Sequence, residues 1–181
     1  MPTLLAACVV RQLRPDAGTV GVTAIDKQPV DGPVRVASLG LYADVQADRK
    51  HHGGPEKALY AYAQEDADWW AAELGREIPP GLFGENLRLA GLDVSGARVG
   101  ERWRIGRRVV VEATLPRTPC MTFARRMGEE RNGWVRRFSD ARRLGAYLRV
   151  VETGEVAAGD PVVVEHVPEG APRLLDVYGE I

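Results

Sequence analysis

The sequence predicts a mainly β protein with a few helices, as in an all-β barrel or sandwich. Many short apolar runs rich in β-branched residues alternate with glycine and proline, which end strands and form turns. Only one stretch has clear helical periodicity. With 181 residues, of which 45% are apolar, the chain has the size and composition of one folded domain with a sizeable core.

Six runs are typical of strands, and they are distributed along the whole chain. They are residues 4–10, 21–25, 34–39, 109–115, 147–151 and 162–164. The first run contains Cys8 and is apolar throughout, which predicts a buried strand in which this cysteine serves as a small apolar residue.

Two regions are predicted to be helical. In residues 64–74 the apolar side chains recur at the spacing of one helix face, and Gly75 ends the pattern. Residues 122–143 are predicted to form a helix in pieces, interrupted at Gly133. We expect residues 1–168 to form a single domain. Residues 169–181 then form a short tail that is either packed or frayed.

Composition excludes several classes of protein. The formal net charge of −1 lacks the positive excess of a nucleic-acid binder. No apolar run approaches the ~20 residues that span a bilayer, and the N-terminus lacks the pattern of a signal peptide. Two cysteines do not make a disulfide framework, so we expect a protein of the reducing cytoplasm.

The residues from 51 to 57 concentrate rare polar types on a glycine pair. His51 and His52 stand side by side before Gly53 and Gly54, and Lys57 follows. Glycine allows positive φ and lets a ligand approach the backbone, and cationic groups around such a turn favour an anionic ligand. The alternative is structural, with one imidazole bonded in a turn and the other solvated. Adjacent histidines on a strand face opposite ways, so a shared metal site is not favoured.

Cys120 is the second candidate. Pro119 precedes it, a strand-like run ends before it, and a helix is predicted to start at Thr122, so the thiol lies close to a helix N-terminus. That position and the nearby Arg117 favour a thiolate. A thiolate serves as a nucleophile, a sulfur carrier or a soft metal ligand. The alternative is an inert buried cysteine.

A third stretch, residues 83–86, gives a weaker signal. Phe83 can anchor in the core and the following glycine can turn the backbone, so that Glu85 and Asn86 present an acceptor and an amide from a loop. Glycine, glutamate and asparagine are also common in ordinary turns.

In this order the motifs resemble the MOSC family, and within it the stand-alone bacterial branch of YiiM-like proteins. The resemblance covers roughly residues 3 to 167. The residues that carry it are 21–29, 44–57, 83–86, 99–101, 116–120, 145–150, 154 and 159–160.

The resemblance implies a distorted, mostly antiparallel closed β-barrel like that of pyruvate kinase. It implies a molybdenum–pterin cofactor (Mo-molybdopterin) with Cys120 as metal ligand. The implied reaction is reduction of N-hydroxylated compounds such as hydroxylamino-purines and amidoximes, with electrons from a separate reductase. The cofactor's phosphate and pterin would contact Gly53, Gly54, Lys57, Asn86 and Arg117.

Within that resemblance the proton donor, the partner and the assembly stay open. His51, His52 or Glu85 would supply the proton. In other relatives the cysteine carries sulfur, which here implies a Cys120 persulfide loaded by a cysteine desulfurase. A non-catalytic carrier of the cofactor is a further alternative, and we expect a monomer or homodimer.

The chain departs from many YiiM-like proteins at its end. Only thirteen residues follow Pro168, whereas many members of the branch have a further helical segment there. If that segment closes the site or contacts the electron donor, we expect this chain either to lack that function or to use another surface for it.

Overall fold

A computed structural model describes residues 1–45 and 53–178 of the chain. The strands in these residues are β1 (Thr3–Val10), β2 (Arg14–Pro15), β3 (Val22–Thr23), β4 (Lys27–Pro29), β5 (Val34–Ala37), β6 (Gly40–Leu41), β7 (Leu59–Ala63), β8 (Leu87–Ala90), β9 (Arg102–Ile105), β10 (Val109–Pro116), β11 (Ala146–Glu152), β12 (Gly154–Val156) and β13 (Val162–His166). The helices are α1 (Gln64–Leu74), α2 (Met121–Met127), α3 (Trp134–Ala141) and α4 (Leu174–Val177), with a 3₁₀ turn at Pro55–Lys57.

Eight of these strands form one mixed sheet in the order β13-β9-β10-β11-β7-β8-β1-β4. All of its ladders are antiparallel except the one between β7 and β8. Strands β12, β5 and β6 form a small second sheet, and β2 and β3 form a separate hairpin. The predicted mainly β architecture with a few helices is therefore confirmed.

The predicted closed barrel is wrong for the described residues, whose main sheet stays open. On the side of β1 that faces away from β8, the C-terminal half of the strand pairs with β4. The start of β1 meets the segment before β13 through one bridge, Thr3 to Pro161. Proline has no N–H to donate, and Pro2 also lies at this seam, where its carbonyl accepts from Val162 N at 2.9 Å. Closure therefore stops at a few backbone hydrogen bonds.

The single parallel ladder arises from a crossover through α1. The chain leaves β7, forms α1 and returns through residues 75–86 to β8, so that Ala61 pairs with Leu87 in parallel. A helical connection of this length is what parallel neighbours require. Helix α1 has the predicted bounds, and Gly75 ends it in the left-handed conformation at φ 61°.

Strand β7 is buried on both faces and separates two apolar clusters. Leu59 and Ala61 point into the cluster enclosed by the main sheet, whereas Tyr60 and Tyr62 point into an aromatic cluster beneath the helices. This division follows the period of two along a strand. The aromatic cluster also holds Trp70, Phe83, Phe123, Trp134 and Phe138.

The remaining predictions of local structure are largely confirmed. Strands β1, β5, β10, β11 and β13 lie within or around their predicted runs, and the broken helix is present as α2 and α3 with Gly133 between them at φ 68°. The second predicted strand is reduced to β3. The tail is packed where it is described, because Leu174 is buried and its N–H donates to Ala97 O at 2.8 Å. None of the helices in residues 1–45 and 53–178 has the length and apolarity needed to cross a bilayer.

Candidate active site

A cavity of about 800 Å³ opens beside the aromatic cluster. Its walls come from the β2–β3 hairpin and the segment to β4, the ends of β7 and β11, the loop before β8, and the start of α2. The polar side chains that line it are Asp16, Thr19, Thr23, Lys27, Asp44, Lys57, Tyr60, Asn86, Arg117, Cys120, Thr122, Arg125 and Tyr147.

Cys120 lies at the wall of this cavity, as the residue that precedes α2. Its extended backbone, with φ −138° and ψ 172°, ends the segment from β10, and its carbonyl accepts from Ala124 N at 3.0 Å. Phe123, one turn into the helix, is fully buried against Phe83 and Phe138. The sequence therefore fixes Cys120 through a buried aromatic anchor, while the cysteine itself remains partly exposed.

Arg117 is a buried cation next to this cysteine. Its guanidinium carbon lies 3.8 Å from the centre of the Phe123 ring and 4.9 Å from that of Tyr60, and Nη1 donates to Phe83 O at 2.5 Å. Its Nε is buried with no hydrogen-bond partner among the described residues. Stacking on two aromatic faces holds the charge in place, and the unpaired Nε is a donor that a ligand of the cavity can satisfy.

A buried ion pair forms another part of the cavity wall. Lys27 Nζ donates to both carboxylate oxygens of Asp44 at 2.6 and 2.5 Å, and both side chains are at most 9% exposed. Asn86 Nδ2 donates to Asp44 at 2.7 Å, while its Oδ1 accepts from Tyr60 N at 3.1 Å. Asn86 thus connects the cavity wall to β7, and Val10 N also donates to Asp44.

Glycine explains how the predicted loop at 83–86 approaches the first part of the chain. Gly84 has φ +81°, and a Cβ there would lie 2.8 Å from a side-chain carbon of Ile25. Gly81 has φ +87° and faces Lys27 O at a similar distance. Only glycine tolerates both the conformation and the contact, so these two positions bring the loop against the segment that lines the cavity.

Glu85 lies elsewhere. It is fully buried in an ion pair with Arg88, and it accepts from Gly81 N at 2.8 Å and from Phe83 N at 3.1 Å. It does not belong to the described residues that line the cavity. Its carboxylate organises the loop before β8, where the sequence alone left a catalytic role open.

The glycine–lysine motif reaches the cavity through its end. Lys57 lines the cavity, and its Nζ lies 5.4 Å from the centre of the Tyr147 ring. Gly54, at φ 90°, precedes the 3₁₀ turn that carries Lys57. Gly53 and Gly54 are described but are not among the lining residues. His51 and His52 lie outside the described residues.

The hairpin wall holds a polar cluster that the sequence analysis missed. Asp16 accepts from Arg125 through Nε and Nη2, both at 2.9 Å, and from Thr122 Oγ1 at 2.8 Å. The hydrogen bonds from Arg125 lower the pKa of Asp16. Asp16 and Arg125 are separated by 109 positions, so no local pattern indicated that they meet.

The described lining residues carry more positive than negative charge. Four of them are cationic, Lys27, Lys57, Arg117 and Arg125, and two are carboxylates, Asp16 and Asp44. Burial raises the pKa of Tyr60 and of Tyr147, so both phenols stay protonated near neutral pH. The cavity is therefore suited to a ligand with anionic groups and hydrogen-bond acceptors.

Comparison with known proteins identifies the family. The MOSC domain family matches residues 48–163, which is more than half of the chain and includes Lys57, Asn86, Arg117 and Cys120. The chain belongs to the MOSC domain family. This result confirms the resemblance that its motifs indicated.

Individual MOSC relatives extend this result. The chain is 34% identical over 137 residues to YflK of Bacillus subtilis strain 168, an alignment that covers 76% of this chain and 61% of YflK. It is 31% identical over 174 residues to a protein of Gibberella moniliformis strain M3125 named "Reductase", covering 93% of this chain and 30% of that protein. The chain thus spans about three fifths of the first relative and under a third of the second.

A solved structure has the same fold. The crystal structure of YiiM from Geobacillus stearothermophilus superposes with a TM-score of 0.78 at 26% identity, covering 98% of this chain and 84% of that one. The arrangement of the mixed sheet and its helices is therefore that of a YiiM-like MOSC protein.

Proposed function

We propose that this MOSC protein binds a molybdenum–pterin cofactor and reduces N-hydroxylated small molecules, with Cys120 as the protein ligand of the metal. The observation that carries the proposal is the place of Cys120. Its thiol lies on the wall of a cavity of about 800 Å³, beside the buried guanidinium of Arg117. Thiolate sulfur is a ligand that soft metal centres prefer.

The residues present fit such a cofactor. The cationic excess of the lining suits a phosphate group, and Lys57 and Arg117 are the side chains we expect to contact it. The unpaired Nε of Arg117 is a buried donor that lacks an acceptor among the described residues. The protonated phenol of Tyr147 offers a hydrogen bond to a polar ring system, and Asn86 holds the adjacent wall in place, because its Nδ2 donates to Asp44 and to Cys8 O.

When bound, the cofactor supplies the redox-active metal. In the overall reaction the N–O bond of the substrate breaks, and two electrons and two protons convert the N-hydroxyl group to N–H and water. The chain's own residues bind and orient the reactants and supply protons. His51 and His52 remain the candidate proton donors, because the carboxylate of Glu85 is held by Arg88 away from the cavity.

The comparisons support this proposal at the level of the family and of one name. The MOSC domain is named after molybdenum-cofactor sulfurases, and the relative from Gibberella moniliformis is named a reductase. Since this chain spans 30% of that relative, a separate reductase as the electron source is part of the proposal.

Substitution of Cys120 tests the proposed function. We expect Cys120→Ala, produced in a host that makes the cofactor, to lose bound molybdenum and to reduce benzamidoxime at least ~100-fold more slowly with reduced methyl viologen. Cys8→Ala is the matched control, because Cys8 is fully buried in β1 and does not line the cavity. Unchanged molybdenum content and turnover in Cys120→Ala would refute the proposal.

Sulfur transfer is a second candidate, and the contrast between the two thiols favours Cys120 as its carrier. Cys8 is fully buried, and burial raises its pKa to about 12, whereas Cys120 is partly exposed at the cavity. This alternative predicts one added sulfur atom on Cys120 after incubation with a cysteine desulfurase, measured by mass spectrometry. A protein without that adduct, beside a loaded control carrier, would exclude it.

A further inference from the structure

Three arginines converge on one carboxylate behind the hairpin wall. Asp26 is 2% exposed and accepts from Arg14 Nε at 2.7 Å. Arg126 Nη2 lies 2.9 Å from its other oxygen, and Arg11 Nη2 lies 3.4 Å away. A single carboxylate cannot neutralise three guanidinium groups, so this cluster keeps a formal excess of positive charge.

The arginines of this cluster repel one another, which changes the pKa of Arg126. Burial lowers the pKa of Arg126, and the positive charges of Arg14 and Arg11 lower it further, while Asp26 opposes the change. An anionic partner on the solvent side would relieve this repulsion. Arg11 and Arg14 face that side, since their side chains are 51% and 42% exposed.

An exposed apolar side chain lies between the two exposed arginines. Leu13 is 51% exposed in the short segment that connects β1 to β2. Arginine beside exposed apolar surface is typical of protein interfaces, where both residue types gain when water is excluded. A small oxyanion would contact the guanidinium groups but would leave Leu13 uncovered, so the composition favours a protein partner.

This surface lies directly behind the cavity. Asp26 stands in the chain between Ile25 and Lys27, which both line the cavity, while its own carboxylate faces the arginines. One layer of backbone therefore separates the arginine cluster from the cavity. A protein bound here would lie next to the candidate active site.

We propose that Arg11, Leu13, Arg14 and Arg126 form a docking surface for an acidic electron-transfer protein. The proposal rests on the proposed reductase function, which requires two electrons from another protein. Charge complementarity selects a partner with a carboxylate-rich face, and the position behind the cavity wall places that partner close to the site of reduction.

The test measures binding separately from turnover. Labelled flavodoxin and plant-type ferredoxin, two acidic redox proteins, are titrated with the 181-residue protein at about 20 mM and about 300 mM salt. The variant Arg11→Gln/Arg14→Gln leaves Arg126 to pair with Asp26. The matched control, Arg107→Gln/Arg108→Gln, removes the same charge from an exposed turn that does not line the cavity.

We expect the wild type to bind at least one of the two proteins at low salt, and the binding to weaken at high salt. Arg11→Gln/Arg14→Gln should bind about tenfold more weakly at low salt, whereas the control should bind like the wild type. Leu13→Ser should weaken binding at both salt concentrations. Equal weakening in both double variants, or no binding by the wild type, would overturn the docking surface.

Turnover with reduced methyl viologen separates this proposal from the function. That small donor does not need the docking surface, so the double variant should reduce benzamidoxime at the wild-type rate. The wild type and the double variant are both assayed for benzamidoxime reduction with methyl viologen. If neither protein is active but the binding measurements give the expected pattern, the reductase function is wrong and the docking surface stands.

Discussion

The two sides of the cavity are built in different ways. The back wall, formed by β7, the loop before β8 and the start of α2, rests on fully buried groups such as Tyr62, Phe83 and Phe123. The hairpin wall, residues 16–25, is largely exposed, and Asp16 fixes its tip through Arg125 and Thr122. One wall is held by packing and the other by ion pairs at its margin.

This difference indicates that the back wall of the site is rigid and that the hairpin wall can adjust. Buried aromatic contacts keep Cys120 and Arg117 in place, because core packing is close and responds to every change of volume. The hairpin rests on hydrogen bonds between charged groups that water and salt can reach, and such segments open at lower free energy than the core. We therefore expect ligand entry to depend on the hairpin.

Removal of a buried charge should break the back wall. Arg88 and Glu85 are both fully buried, and Arg88 also donates to Ile78 O at 3.1 Å. Arg88→Met should lower the free energy of unfolding by about 3–5 kcal/mol, because it leaves the Glu85 carboxylate buried without its partner. Urea unfolding measures this change.

The matched control is an exposed pair. Arg136 lies 3.5 Å from Asp140, with a side chain that is 89% exposed, and Arg136→Met should change the free energy of unfolding by less than about 0.5 kcal/mol. Similar small losses in both variants would show that the Arg88–Glu85 pair does not hold the loop.

Alkaline pH should weaken the sheet. Burial raises the pKa of Cys8 from 9.0 to about 12. The stability that the neutral thiol contributes is complete below pH 9 and is lost as the pH rises toward 12, because the unfolded thiol loses its proton first. At about pH 10.5 the loss should be about 2 kcal/mol, at 1.36 kcal/mol per pH unit. Urea unfolding in this range should depend less steeply on pH in Cys8→Ala, and an unchanged slope would contradict the assignment.

The hairpin should respond to acid and to loss of Asp16. The hydrogen bonds from Arg125 lower the pKa of Asp16 in the folded protein. The stability that the ionised Asp16 contributes is therefore present above about pH 4, and it is lost as the pH falls through the lower native pKa.

Asp16→Asn should lower the local stability of the hairpin by about 1 kcal/mol and leave the rest of the protein unchanged. Hydrogen exchange of residues 14–26 should be about fivefold faster. Asp31→Asn, at an exposed site, is the control, and equal exchange in both variants would show that Asp16 does not anchor the wall.

The sequence predicted the elements whose signal is local. Helix α1 has a complete apolar face and a terminal glycine, and β10, β11 and β13 are runs of β-branched residues between turns. Strands β7 and β8 were missed. Strand β7 is buried on both faces and so lacks the alternation that marks a half-buried strand.

Residue type was enough to predict some residues of the candidate site. The spacing of residues along the sequence predicted none of the contacts between them. The place of Cys120 before a helix and its nearness to Arg117 followed from Pro119 and the local pattern. Glu85 was offered as a proton donor on its type alone. Only the tertiary structure showed that its carboxylate faces Arg88.

The sequence by itself determined a mainly β domain, its family, the unusual thiol and the glycine turns, because each depends on residues that are neighbours in the chain. Tertiary structure decided that, in the described residues, only one bridge and a few backbone hydrogen bonds near Pro2 and Pro161 connect the two ends of the main sheet. It also decided that Asp44 contacts Lys27 and Asn86. It also decided that the hairpin is anchored to α2. These contacts link residues up to 109 positions apart, and their energies depend on burial and orientation that no local pattern encodes.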